Sequence, residues 1–295
     1  MLVGIFPNLS KKNIEHHVND LCKHLKNADI DFYIIDSYRE EAQQREYHFT
    51  DNHWASLQEM QDSMDMAFTL GGDGTLISVA KLLLPYDIPL CGVNLGELGF
   101  LNMIEPDELD TRLEQIKAGD YKIWHRSLLA SAIMHESGQV QQLPAAMNEV
   151  VIGRSRPGRM ARLRLYVNDV FVEEYPADGI IVSTATGSTG YALSCGGPIM
   201  HPNLTNMMVI PICPHLLKSS PLMLNADDEV TITMPERERH LYASIDGNES
   251  FYFTNEKKLL ITRHPNSLPF VYFSDQNFFR LLFPKLTKSI YHAAQ

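Results

Sequence analysis

The sequence is short of paired cysteines, of long apolar runs and of positive charge. Its four cysteines, Cys22, Cys91, Cys195 and Cys213, stand far apart, with no CxxC pair and no histidine at a zinc-like spacing. That excludes a disulfide framework and a zinc knuckle, and leaves free, partly buried thiols in a reducing compartment. No apolar run reaches the roughly 18 residues that suggest a membrane span. The first run, Leu2–Phe6, has no basic segment before it and reads as a strand, not a signal peptide. A formal net charge of −11 argues against a nucleic-acid or anionic-membrane surface. A cytoplasmic chain with neither partner is expected. Several signatures are missing too. There is no GxGxxG, no GxSxG and no HxxxH with a third ligand. Gly153–Met160 has the glycine spacing of a P-loop but lacks its Lys and Ser/Thr.

What is present is ordinary globular material, 44% hydrophobic and 21% charged over 295 residues, which is long for one domain and fits two. In the first half strands alternate with helices. Leu2–Phe6 is a buried-type strand. Ser10 is placed to cap a helix whose apolar residues Ile14, Val18, Leu21, Cys22 and Leu25 recur at helical spacing to Lys26. Strands follow at 32–36, 66–70 and 89–94, with a helix over 76–84 and another over 106–118; the polar stretch 37–65 shows no placeable element. Such alternation implies a mostly parallel sheet, with ligands gathered at the carboxyl ends of its strands.

One of those strand ends carries Gly71-Gly72-Asp73-Gly74-Thr75. Three glycines at a strand-to-helix turn leave amides uncovered where the helix dipole favours anions, so a phosphate fits there. Asp73 is the turn's one chemically capable side chain, able to take or orient a hydroxyl proton beside a phosphoryl group. The plainer reading is a tight turn whose Asp and Thr cap the helix. Gly92–Gly99 follows the next strand, and Phe100 is either an aromatic wall of the same crevice or a core residue.

Around Gly119-Asp120 the texture changes to short runs rich in β-branched and aromatic residues, at 128–135, 148–152, 162–167, 170–175, 179–183, 230–234, 241–245, 250–253 and 259–262. Asn168-Asp169, Asp178-Gly179 and Asp246-Gly247 supply the turns. The expected architecture is an N-terminal Rossmann-like α/β domain (1–122), a C-terminal all-β sandwich (123–267) and a tail (268–295) returning to the first domain. Three spots stand out from plain framework. Asn148-Glu149 sets an amide beside a carboxylate at a strand start. Asp178-Gly179 precedes a buried run. Thr184–Tyr191, followed by Cys195-Gly196-Gly197-Pro198, offers hydroxyls and small residues suited to close approach of a planar or anionic ligand, or else a capped flexible turn.

Taken together these stretches resemble the NAD kinase family. The GGDGT turn alone is shared with diacylglycerol, sphingosine and phosphofructo-kinases. The ordered set with Asn148-Glu149, Asp178-Gly179, Thr186–Tyr191 and Cys195–Pro198 singles out NAD kinases across about residues 1–285. The resemblance implies a phosphotransferase with an alcohol acceptor. Its reaction moves the γ-phosphoryl of ATP, or of polyphosphate in some members, to the adenosine ribose 2′-hydroxyl of NAD, giving NADP, with Mg²⁺ accompanying the donor. It implies that Asp73 is the catalytic carboxylate and that Gly71, Gly72, Gly74 and Thr75 hold the triphosphate. Asn148 and Glu149 would hold adenine and ribose, with Phe100 lining the adenine pocket. Thr189, Gly190, Tyr191 and Ser194 would contact the dinucleotide. Asp178 would meet the nicotinamide carboxamide, across a subunit boundary in a homodimer or homotetramer. Arg159 and Asn248 fall at further site-lining positions. The chain departs from the family at two places. Thr189-Gly190-Tyr191 replaces the usual Thr-Ala-Tyr, and Pro176-Ala177 stand where many relatives carry a basic residue, leaving that cation missing or supplied by another such as Arg159. A lipid kinase and a non-catalytic dinucleotide sensor are the competing readings. The first is disfavoured by the acidic charge; the second is kept open by Pro176 and Gly190.

Overall fold

The computed structural model describes residues 1–49, 53–96, 99–155, 160–215, 219–235, 240–280 and 282. The chain divides into two compact units, one of residues 1–125 with the segment from Leu268, the other of Arg126–Ser267.

The first unit runs β1 (Leu2–Pro7), α1 (Ile14–Asn27), β2 (Asp31–Ile35), α2 (Arg39–Gln44), β3 (Trp54–Ala55), α3 (Leu57–Met60), β4 (Met66–Gly71), α4 (Asp73–Leu83), β5 (Leu90–Asn94), α5 (Leu109–Ala118) and β6 (Lys122–Arg126). α1 buries Ile14, Val18, Leu21, Cys22 and Leu25, the stripe its spacing predicts. Each such aliphatic side chain contributes about 1.5–3 kcal/mol on burial. Its start differs from expectation. The N-cap is Asn13, in the left-handed region at φ 58°, with no side-chain cap, while the Ser10 hydroxyl donates to Asn8 Oδ1. Stretch 37–65 proves to hold a 3₁₀ turn, α2, β3 and α3, elements too short to show a period.

The second unit adds β7 (Leu129–His135), β8 (Val140–Gln142), β9 (Glu149–Arg154), β10 (Ala161–Val167), β11 (Val170–Ala177), β12 (Gly179–Ser183), α6 (Tyr191–Ser194), β13 (Met207–Ile212), β14 (Leu222–Leu224), β15 (Val230–Thr233), β16 (Leu241–Ile245), β17 (Glu249–Phe253) and β18 (Lys257–Arg263). Two six-stranded sheets, β11-β10-β15-β18-β7-β8 and β14-β13-β12-β9-β16-β17, pack face to face over one core. That core takes Ile133, Leu163 and Ile232 from one sheet and Val150, Ile180 and Ala243 from the other. The outer face of β9, β12 and β13 is covered by the segment carrying Ala185, Ala192 and Met200, so these central strands are buried on both sides. Residues 184–200 are thereby laid against the strand that begins with Glu149.

β19 (Leu268–Tyr272) returns the chain to the first unit, between β5 and β6 in the order β3-β2-β1-β4-β5-β19-β6. Its ladder with β5 is parallel, as are those joining β1 to β5. The return is fastened by Arg112 of α5, 4% exposed, whose Nη1 donates to Asp275 at 2.7 Å and whose guanidinium lies 4.7 Å from the Phe273 ring centroid.

Candidate active site

β4 is buried along its whole length and ends in the glycine turn. α4 begins at Asp73, inside the turn and three residues before the apolar pattern starts, because Asp73, Gly74 and Thr75 carry no apolar side chain that could leave a periodic trace. Gly72 is the N-cap, and no side chain caps the helix. The first amides of a helix have no intrahelical acceptor, so this terminus is open to an anion. The turn glycines all keep negative φ. Their value is room: a methyl on Gly71 would sit 2.3 Å from Thr75 Oγ1. Thr75 itself accepts a hydrogen bond from Asn8 Nδ2 at 2.8 Å, which binds the β1 loop to the turn.

Asp73 does not cap α4. Its Oδ2 accepts the Phe100 N–H at 2.7 Å, and its Oδ1 accepts the Leu101 N–H at 3.2 Å and the Asn102 amide at 2.9 Å. The carboxylate is thus fixed by three donors from residues 100–102, with one lone pair of Oδ2 left over. Gly99 makes room for it, since a methyl there would lie 2.0 Å from Asp73 Oδ1. Phe100 therefore stands beside Asp73 through its backbone. Asn102, 6% exposed, carried no sequence signal.

A second constellation is built in the β-sandwich unit. Asp246, at the β16–β17 turn, accepts the Asn148 N–H (2.8 Å) and the Glu149 N–H (3.2 Å) on Oδ1 and the Met147 N–H (3.0 Å) on Oδ2. Its own N–H donates to the Glu149 carbonyl at 3.0 Å. One carboxylate thus sets the direction of the Asn148-Glu149 pair, in a residue whose sequence context said only that a turn was there. Glu149 is 6% exposed, and its Oε2 finds no partner among the described residues. Burial, then the charge of Asp246, pushes its carboxyl up to about 7.

Against this pair lies the Thr184–Tyr191 stretch. Thr184 Oγ1 donates to the Met147 carbonyl and accepts the Gly187 N–H, while Thr184 N and Ser183 Oγ donate to the Asn148 carbonyl. A 3₁₀ turn over Thr186–Thr189 leads through Gly190 into α6. A methyl on Gly190 would stand 3.5 Å from Glu149 Oε2 and 4.0 Å from Asn148 Nδ2. Gly190 therefore faces both members of the pair. Tyr191 and Ser194 are exposed on α6 next to it, and Asn248 is exposed on the hairpin tip that carries Asp246.

Asp178 pairs with Arg154 Nη2 at 3.4 Å. That arginine comes from β9, in the glycine-spaced segment that resembles a P-loop only superficially. Arg159 lies outside the described residues. A cavity of about 490 Å³, lined by Leu2, Ile30, Phe32, Tyr33 and His53 among others, opens at the amino ends of β1 and β2. Open parallel sheets bind ligands at the other end, where the glycine turn lies.

The fold and these geometries define a class: a parallel α/β unit with an anion-accepting helix terminus at a strand's carboxyl end, joined in sequence to a β-sandwich unit with its own buried polar cluster. Residues 3–121 match the model of the ATP-NAD kinase N-terminal domain, and residues 147–273 that of the ATP-NAD kinase C-terminal domain. The chain is 35% identical to an NAD kinase of Caldanaerobacter subterraneus over 97% of its length and 99% of that protein's. It is 33% identical to one of Natranaerobius thermophilus over 97% of both. Its fold is that of yeast NADH kinase crystallised with NADH (TM-score 0.81, 22% identity, 96% of this chain and 86% of that one). It is equally that of an Archaeoglobus fulgidus NAD kinase in complex with ATP (TM-score 0.73, 23% identity, 97% and 99%). The chain belongs to the NAD kinase family.

Proposed function

We propose that this protein phosphorylates NAD to NADP, moving the γ-phosphoryl of ATP to the adenosine ribose 2′-hydroxyl. The observation that carries the reading is the Asp73 carboxylate, held by three donors at the head of a helix whose own amides are uncapped. The open amides take the donor's phosphate oxygens, and the remaining lone pair of Asp73 takes the proton of the attacking hydroxyl. Positioning and charge stabilisation supply most of the acceleration in phosphoryl transfer, so a carboxylate that is already fixed suits the task.

In the β-sandwich unit Asn148 and Glu149 hold the adenosine, with Glu149 Oε2 accepting a ribose hydroxyl. An acceptor buried without a partner is a costly arrangement that such a donor relieves. Phe100 lines the adenine pocket, and Thr189, Gly190, Tyr191 and Ser194 contact the dinucleotide. Asp178 meets the carboxamide, and Asn248 and Arg159 line the site further out. Mg²⁺ accompanies the triphosphate and offsets its charge. Among the described residues no helix is long and apolar enough to cross a membrane. The proposed setting is a cytoplasmic homodimer or homotetramer, with polyphosphate as an alternative donor.

The test is incubation with ATP, Mg²⁺ and NAD, followed by an NADP-specific dehydrogenase. Steady NADP formation is expected; NAD binding without NADP would make the chain a sensor and end the enzymatic reading. A second expectation concerns the loop that holds Asp73. Gly99→Ala should lower kcat roughly tenfold by displacing the carboxylate, with the melting temperature little changed. Unaltered kcat would show that the close approach of Gly99 is incidental.

A further inference from the structure

The loop after β1 brings to the glycine turn a cation that the motif does not contain. Asn8 fixes that loop. Its N–H donates to the Leu70 carbonyl at 2.9 Å, its side-chain amide grips Thr75, and its Oδ1 accepts the Ser10 N–H (3.1 Å) and the Ser10 hydroxyl (2.6 Å). The Lys11 N–H then donates to the Asn8 carbonyl at 3.0 Å. The residue that clamps Thr75 therefore also sets the backbone of Lys11.

The lysine side chain runs from there to the turn. A methyl built on Gly96 would lie 3.1 Å from Lys11 Nζ, and one on Gly72 4.0 Å. Lys11 is half-buried, and its ammonium makes no hydrogen bond or ion pair with a described residue. Asp73, the nearest acid of the turn, has its carboxylate engaged with residues 100–102. The ammonium and the uncapped α4 terminus thus converge beside Gly72, and what both lack is an anion.

We propose that Lys11 is the binding cation for the phosphoryl donor, its Nζ meeting the oxygens of the terminal phosphates of a nucleoside triphosphate or polyphosphate at the glycine turn. The assignment rests on the reading of that turn as the donor's seat. It adds a residue on a different strand loop, and it gives the donor a point charge where the turn offers only amides.

The experiment uses the full chain and four forms: wild type, Lys11→Met, Lys11→Arg and the exposed neighbour Lys12→Met. In the NADP assay, Lys11→Met should lose about 10–30-fold in kcat/KM for ATP, with KM for NAD within twofold. Lys11→Arg should recover most of the loss, and Lys12→Met should match wild type. Thermal stabilisation by inorganic tripolyphosphate, measured without NAD, should be lost in Lys11→Met alone. Wild-type kinetics and an intact tripolyphosphate shift in Lys11→Met would overturn the proposal while leaving the NAD kinase activity standing. Equal loss in Lys12→Met, or a rise in KM for NAD as large as that for ATP, would also overturn it. Were the wild type to make no NADP, the activity would fall, and the tripolyphosphate shift would still decide whether Lys11 holds phosphate.

Discussion

Asp73→Asn is expected to cut kcat by roughly 10²–10⁴-fold, the range for removing a positioned general base, with NAD affinity much less affected. The substitution keeps volume and shape, so its effect separates chemistry from packing. Oδ1 receives two hydrogen bonds and Oδ2 one, from Phe100. The asparagine amide therefore settles with its oxygen toward Leu101 and Asn102 and its NH₂ toward the Phe100 N–H. That places two donors face to face and removes the acceptor lone pair that the mechanism assigns to the 2′-hydroxyl. A stability loss of about 1–3 kcal/mol accompanies the unmatched donors, which a denaturant titration reads separately from turnover. Steady-state kinetics with ATP and NAD, together with NAD titration of both forms, checks the outcome. Near-normal turnover in Asp73→Asn would remove the carboxylate from the mechanism and leave positioning by the turn as the source of catalysis.

What was legible in the sequence, and what was not, follows from the range of the contacts. The glycine turn and the Asn148-Glu149 pair are each contiguous, and local chemistry announces both. The groups that orient them come from far along the chain. Asn8 reaches Thr75 across 67 residues, Asn102 reaches Asp73 across 29, and Asp246 reaches Asn148 across 98. None of these partners has a local pattern to betray it, since an asparagine after a strand or an aspartate before a glycine reads as a turn wherever it stands. The strands divide in the same way. Gly179–Ser183 and Leu241–Ile245 are β-branched or alternating runs whose bounds the sequence shows, whereas Met207–Ile212 goes unread because it carries two methionines and Pro211. Pro211 nonetheless lies opposite Ile180 in the middle of the sheet. β19 is invisible for another reason: a five-residue strand acquires its place only when β5 and β6 are already there to receive it. The Arg154–Asp178 pair has the same explanation, because it forms through the pairing of β9 with β12, not through sequence adjacency.

Glu149 is expected to make both stability and dinucleotide affinity depend on pH, in opposite senses. In the free protein its carboxyl is pushed up to about 7, from an ordinary 4.5, by burial and then by the Asp246 charge. Between those values the unfolded chain has given up its proton while the folded chain still holds it. The folded state binds more protons, so stability falls as pH rises through that window and is lowest once both states are ionised above about 8. The magnitude is about 3 kcal/mol. Glu149→Gln removes the titration, so the variant should gain about that much on the wild type between pH 4 and pH 8, measured by urea denaturation across the range. A difference that stays flat with pH would mean the carboxyl titrates normally. Ligand binding runs the other way. A ribose hydroxyl donating to Oε2 prefers the ionised carboxylate, which is about one-tenth populated at pH 6 and nine-tenths at pH 8 for a group titrating near 7. NAD should therefore bind about tenfold more tightly at pH 8 than at pH 6 and release a proton to buffer near the lower pH, while Glu149→Gln binds with one affinity throughout. A wild-type affinity that weakens with rising pH would instead mean that the protonated carboxyl donates to the dinucleotide, reversing the role of Glu149 while keeping it in the site.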